Sequence, residues 1–233
     1  MASAAELHMY AGAGLRQPVE AAVKLFEQNT SHKVVIEYGG SGQILTRFNL
    51  TKSGDVFLPG SADYVEKLRQ AGQVVTAYPL VLHTPVMVVR KLSAAKIHNF
   101  ADLAKSDLKI GMGDPKAIAL GKSGEVLLAA SGYGNALKEK VVVQTTTIKQ
   151  LLIYLLKGDV DAAVIGRSDA IKHQDSLKML PSPVGAPEEV ATIAVLKTST
   201  QPDAAKQLAG FFATPAVIKI FTDQGYIPVG NAG

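Results

Sequence analysis

The chain has 233 residues, 24 Lys and Arg against 20 Asp and Glu, 47 % hydrophobic residues, and neither Cys nor Trp. That length suits one large domain or two lobes of about a hundred residues each, and the apolar share excludes a disordered chain. The missing Cys excludes disulfide scaffolds and thiolate zinc or iron–sulfur sites, no run reaches the length of a membrane-spanning helix, and a net charge of +4 on dispersed lysines admits an anionic ligand but not a nucleic-acid stripe.

Short apolar runs alternate with helical patterns from one end to the other. Met1-Ala2-Ser3-Ala4-Ala5 leads straight into an apolar strand without the regions of a secretory leader. Strands are expected at Leu7–Ala11, Val34–Tyr38, Asp55–Pro59, Val86–Arg90, Leu108–Met112, Val141–Val143, Asp161–Ile165 and Ala191–Leu196. Leu15, Val19, Ala22, Val23 and Phe26 recur at helical spacing on one face. Ser61 caps a predicted helix that stops at Gly72, and Asn99 caps a short one through Lys105. A further helix runs from Thr147 to Lys157 and ends at Gly158; the last opens at Thr214-Pro215 and closes at Gly225. Such alternation predicts parallel, helix-covered sheet. Val81–Arg90 and Ala191–Lys197 read as long strands that could cross between two lobes.

The recurrent feature is a strand end followed by small polar residues and a helix. It occurs at Gly12-Ala13-Gly14, Gly39-Gly40-Ser41-Gly42, Gly60-Ser61, Gly113-Asp114-Pro115 and Thr145-Thr146-Thr147. Open α/β sheets bind ligands at the carboxyl ends of their strands, where helix N-termini present free N–H groups to anions. Glycine lets the backbone approach and Ser or Thr adds a hydroxyl donor. Singly, such turns are ordinary; together they describe a neutral pocket of donors. Arg16, Lys122 and Arg167 are the cations placed to neutralise an anion there.

Motifs for catalysis fail on spacing. Gly12-Ala13-Gly14-Leu15-Arg16-Gln17 approaches a dinucleotide fingerprint, but Gln17 stands where the third Gly belongs. Gly121-Lys122-Ser123 resembles the end of a phosphate-binding loop, yet Lys116 replaces its first Gly. The five His show no metal-ligand spacing; His32 and His98 are expected to face solvent and His83 to be structural. No metal cation, no cofactor and no enzymatic activity are expected.

From Glu6 to Val229 the chain resembles the molybdate-binding proteins of ABC uptake systems, within the type II periplasmic binding proteins. The resemblance rests on Ala11–Leu15, Tyr38–Gly42, Asp55–Asp63, Gly113-Asp114-Pro115 with Gly121, Gly158–Ala162, Ser168-Asp169-Ala170 and the closing Phe221–Pro228. It implies an α/β fold of two lobes, each a mixed or parallel sheet flanked by helices, joined by two crossover strands. Lobe one would comprise residues 5–83 and 197–233 and lobe two residues 84–196, with the ligand in the cleft between them. It also implies a monomeric periplasmic protein, its signal peptide missing from the sequence, that delivers a small oxyanion to a membrane permease.

Carried over residue by residue, the family's oxyanion ligands fall on Gly14, Ser41, Leu120, Ile148 and Gly166. Ser61 joins them as a hydroxyl at the third turn, and Arg16 and Arg167 as flanking cations. Two of the family's three side-chain ligands are absent, since Gly14 and Gly166 bear no hydroxyl. Each lost charge-assisted hydrogen bond is worth about 1.5–3 kcal/mol, and Arg16 or Arg167 could replace it. Molybdate or tungstate leads, while sulfate, phosphate, chromate and small organic acids or phosphoesters stay open. A nucleotide-dependent cytosolic enzyme and a regulatory ligand-sensing domain are the competing readings.

Overall fold

The structure, a computed structural model, describes residues 3–230. Met1-Ala2 and the last three residues of the expected first lobe lie outside the described residues. In chain order the elements are β1 (Glu6–Gly12), a 3-10 turn (Ala13–Leu15), α1 (Arg16–Asn29), β2 (Lys33–Gly39), α2 (Ser41–Thr51), β3 (Val56–Leu58), α3 (Ala62–Gln70) and β4 (Val74–His83). They continue with β5 (Pro85–Arg90), a second 3-10 turn (Lys91–Ser93), α4 (Phe100–Lys105), β6 (Ile110–Gly113), α5 (Ala119–Ala130), α6 (Gly134–Lys138), β7 (Val141–Thr145) and α7 (Ile148–Lys157). The chain closes through β8 (Ala162–Gly166), α8 (Arg167–Lys172), β9 (Leu177–Met179), β10 (Glu189–Leu196), α9 (Pro202–Phe212), α10 (Pro215–Thr222) and β11 (Ile227–Pro228).

Local chemistry sets many of these boundaries. Asn99 Oδ1 accepts from Asp102 N at 2.8 Å and Thr147 Oγ1 from Gln150 N at 3.2 Å, each satisfying a first-turn N–H that a helix leaves open. Gly158 ends α7 in the left-handed region at φ 89°. Thr214 precedes Pro215 as expected, but its hydroxyl donates back to Phe211 O at 2.7 Å and so does not cap α10.

Two compact units divide the chain: one runs up to Leu82 and resumes at Val190, the other is His83–Glu189. The first holds a six-stranded sheet ordered β11-β4-β10-β3-β1-β2. β1 runs parallel to both β2 and β3, while β10 is antiparallel to β3 and β11 to β4. Leu7, Met9 and Ala11 alternate along β1 toward the face covered by α1, α9 and α10, where Val19, Phe26, Leu208, Phe212 and Phe221 complete the core. The second unit holds a five-stranded sheet ordered β7-β6-β8-β5-β9, with β6 parallel to β7 and β8, and β5 antiparallel to β8 and β9. Both its faces are packed. Met87 and Val89 point to one core and Val86 and Val88 to the other, so β5 reads as an unbroken apolar run.

Both sheets are mixed, as the family resemblance allowed and the alternation of elements alone did not foresee. Two expectations change. Val81–Arg90 is not one strand: it breaks at Thr84, with β4 in the first sheet and β5 in the second. β10, expected in the second lobe, pairs with β3 in the first sheet; its apolar pattern announces a strand but cannot name its neighbours.

His32 is also displaced from expectation, being only 5 % exposed. Its Nδ1 accepts from Ala5 N at 3.0 Å, Nε2 lies 3.0 Å from Gln207 Oε1, and the ring stacks on Phe26. The imidazole ties the start of β1 to α9. Replacing it (His32→Ala) strands a buried N–H and an amide, and chemical denaturation should register a loss of about 2–3 kcal/mol.

Candidate functional site

In the first unit, β2, β1 and β3 lie side by side and parallel, and they end level with one another: Gly12 pairs with Gly39, and Ala11 with Leu58. The following turns meet there. Gly60 N–H donates to Ser41 Oγ at 3.0 Å, and a Cβ built on Gly12 would stand 3.4 Å from Gly60 N and 3.7 Å from that hydroxyl. A glycine at position 12 is what lets the turn after β1 come this close. Ser41 opens α2 and is 4 % exposed; Ser61 caps α3, accepting from Asp63 N at 3.3 Å, and is 3 % exposed. In both bonds the serine oxygen accepts, which leaves each hydroxyl proton to donate elsewhere.

Gly14 lies in the 3-10 turn, whose carbonyl accepts from the Tyr226 hydroxyl at 3.3 Å. The Gln-Gly-Tyr segment near the end of the chain thus fastens the turn after β1. Arg16 extends along α1: its guanidinium sits 4.0 Å over the Tyr38 ring and 3.4 Å from Glu20, with its side chain half exposed. Beneath it the Tyr38 hydroxyl is buried without a hydrogen-bond partner. Burial, and then the nearby Glu20 carboxylate, push that phenol above the usual tyrosine range, with Arg16 acting in the opposite direction.

In the second unit the parallel set is β7, β6 and β8, ending at Thr145, Gly113 and Gly166. Asp114 organises the exit from β6. Its N–H donates to Thr145 O at 2.7 Å, its carboxylate accepts from Lys116 N at 2.8 Å, and its carbonyl accepts from Ala117 N and Ile118 N at 3.0 Å. α5 then begins against that turn. A Cβ on Gly121 would fall 2.4 Å from the Asp114 carbonyl carbon, so no other residue fits there unmoved. Thr145, 2 % exposed, donates its hydroxyl to Thr147 O at 2.9 Å and so shapes the entry to α7.

Leu120 and Ile148 have buried side chains and stand in the first turns of α5 and α7, where peptide N–H groups have no acceptor within the helix. Gly166 precedes α8, and Arg167 opens it with its N–H already donated to Thr84 O at 2.9 Å. Within their respective units, Ser41 and Ser61 are gathered with Gly12 and Gly60, and Leu120 with Gly166. Arg16 is held along α1 by Tyr38 and Glu20. His83, expected to be structural, is 5 % exposed and packs against Gly166, with the imidazole Nε2 2.8 Å from where a residue-166 Cβ would be. No pattern along the chain signals that contact, which depends on a partner distant in sequence. Among the described residues no three His, Asp or Glu gather as a metal site would require.

The family model for bacterial extracellular solute-binding proteins matches residues 7–227. The chain belongs to that family. This solute-binding protein is 52 % identical to a Haemophilus influenzae chain described only as a candidate binding protein, over 97 % of this chain and 92 % of the relative. Its fold is that of the sulfate-binding protein SubI of Mycobacterium tuberculosis (TM-score 0.86, 20 % identity, 98 % of this chain and 88 % of the other). It is also that of the periplasmic molybdate-binding protein of Azotobacter vinelandii (TM-score 0.80, 19 % identity, 95 % and 98 % covered). The protein is thus a two-lobed α/β solute-binding protein and not an enzyme, which displaces the nucleotide-dependent reading of Gly12–Gln17.

Two predictions follow from packing and charge. Gly121→Ala forces its new methyl into the Asp114 backbone and should cost about 1–3 kcal/mol of stability in a denaturant titration. Asp169, at the start of α8, is pushed up to about 6 by burial, with Lys172 acting against the shift. A raised carboxylic pKa means the folded state binds the proton more tightly than the unfolded chain, so stability falls as pH rises from about 4 to 6 and stays lower above. Asp169→Asn should flatten that slope and raise stability at pH 8 by about 1–2 kcal/mol, read from melts across that pH range.

Proposed function

We propose that this protein is the periplasmic binding component of an ABC importer that captures a small tetrahedral oxyanion, with molybdate or tungstate as the first-ranked ligand, and hands it to a membrane permease. The observation that carries this reading is the Ser41 hydroxyl. It is buried, accepts from the Gly60 N–H, keeps its own proton to donate, and lies where the turns after β1, β2 and β3 meet. An anion there would take donors of the first unit, Ser41 with the Gly60-Ser61 turn beside it; the second unit offers N–H groups of its own at Leu120 and Ile148. No cation is needed when several uncharged donors converge, because helix N-termini and oriented amides already favour negative charge. A ligand that engages both units would favour their closed arrangement by its differential affinity. The molybdate-binding fold relative supports the ranking.

A second anion class is favoured by one specific feature. Positions 14 and 166 carry no side chain, and Arg16 and Arg167 lie next to these turns, a composition suited to sulfate, phosphate or a small phosphoester whose bulk or charge exceeds what hydroxyls would meet. A periplasmic monomer is part of the same proposal.

The test is a thermal-shift panel on dialysed protein with molybdate, tungstate, sulfate, phosphate, chromate, small organic acids, NAD and ATP. A ligand at a hundred times its Kd adds about 2.7 kcal/mol of stability. Molybdate and tungstate are expected to raise Tm and nucleotides to leave it unchanged; silence from every oxyanion would overturn the proposal. By calorimetry, Ser41→Ala should weaken the active anion by roughly tenfold to a hundredfold, the loss of one charge-assisted hydrogen bond.

A further inference from the structure

The second unit carries a cavity at the opposite end of its sheet from the strand-end turns. β5 and β8 are antiparallel, with Pro85 opposite Gly166, so Arg90 at the other end of β5 lies roughly 17 Å away along the strand. The cavity there has a volume of about 380 Å³, in the size range of small-molecule sites, and is lined by Arg90, Leu92, Leu155, Leu156 and Ser176. Leu155 is buried, whereas Leu92 and Leu156 keep their apolar surface exposed. Backbone hydrogen bonds hold the walls: Arg90 N donates to Asp161 O at 2.8 Å and Lys91 N to Ser176 O at 2.9 Å. The Arg90 guanidinium lies against the end of α7, where a Cβ on Gly158 would stand 2.6 Å from its Nη1 and 2.9 Å from its Cζ. The partial negative charge at that helix end orients the guanidinium. Its donors are nonetheless unspent: among the described residues it has no hydrogen-bond acceptor and no ion-pair partner.

We propose that this cavity is a second ligand site, separate from the strand-end turns, which takes a monocarboxylate bearing an apolar group. The Arg90 fork holds the carboxylate through two parallel N–H···O bonds, the geometry for which a guanidinium is preorganised. The leucines bury the apolar part and Ser176 adds a hydroxyl donor. Formal charge narrows the class. Arg90 and Lys91 are opposed by Asp175, which also lines the cavity, and two cations against one anion leave a net +1. That balance suits a single negative charge rather than the two of sulfate or molybdate. The site stands whichever anion the strand-end turns take.

The experiment is calorimetric titration of acetate, butyrate and hexanoate into the dialysed protein, with hexylamine and sulfate as controls. Amide NMR on isotope-labelled protein locates the contact. Affinity should rise by up to about fourfold for each added methylene. Hexanoate should shift the signals of residues 90–92, 155–156 and 175–177, and hexylamine and sulfate should leave them in place. Arg90→Gln should weaken hexanoate by about tenfold or more. Leu156→Asp alters an exposed side chain, so it should melt as wild type does and still weaken hexanoate by setting a like charge beside it. Hexanoate that binds no better than acetate, or equally to wild type and both variants, would overturn the second site. So would shifts confined to the turns around Gly113, Thr145 and Gly166, which would place the carboxylate at the strand ends instead. Hexylamine binding as tightly as hexanoate would reduce the cavity to apolar contact and overturn the role of Arg90.

Discussion

A strand that hands the chain directly to a helix leaves peptide N–H groups uncommitted at the junction, and each sheet is ordered so that three such junctions lie side by side. In one unit these are the ends of β2, β1 and β3; in the other, the ends of β7, β6 and β8. The parallel strands force this, since their carboxyl ends must share one edge of the sheet. The antiparallel strands β10 and β5 flank each set and bury it from the side. The gathering of these turns is thus a by-product of strand order, and the side chains at the edge only refine it.

What the side chains contribute is closeness. Gly12 allows the turns after β1, β2 and β3 to touch through the Ser41 hydroxyl, and Gly121 lets α5 start against the Asp114 turn. Asp114 is spent on holding that turn, Thr145 on shaping the entry to α7, and Tyr226 on fastening the turn at Gly14. These polar groups hold the backbone of the strand-end turns in place. For the proposed ligand, preorganisation of this kind would raise affinity by lowering the entropy lost on binding.

Charge plays a smaller part than the composition suggests. Arg16 is offset by Glu20 and laid over Tyr38, so its guanidinium also serves to cover a buried phenol. Family membership gives the fold and the general task. At position 166 a side chain and the imidazole of His83 would compete for the same volume.

The sequence by itself determined the local features. Periodicity gave α1, caps and glycines bounded α3, α4 and α7, and the small polar turns marked where strands end, because each depends on residues within a few positions of one another. It also carried the family resemblance and the candidate residues Ser41 and Ser61, whose burial the structure supplies. Only the tertiary structure decided what depends on distant partners. It assigned β10 to the first sheet and broke Val81–Arg90 at Thr84. His32 became a buried link between Ala5 and Gln207, Arg16 was turned onto Tyr38, and His83 came to lie against Gly166. No pattern along the chain encodes these, since a residue's period reports which way it faces but not what packing brings to meet it.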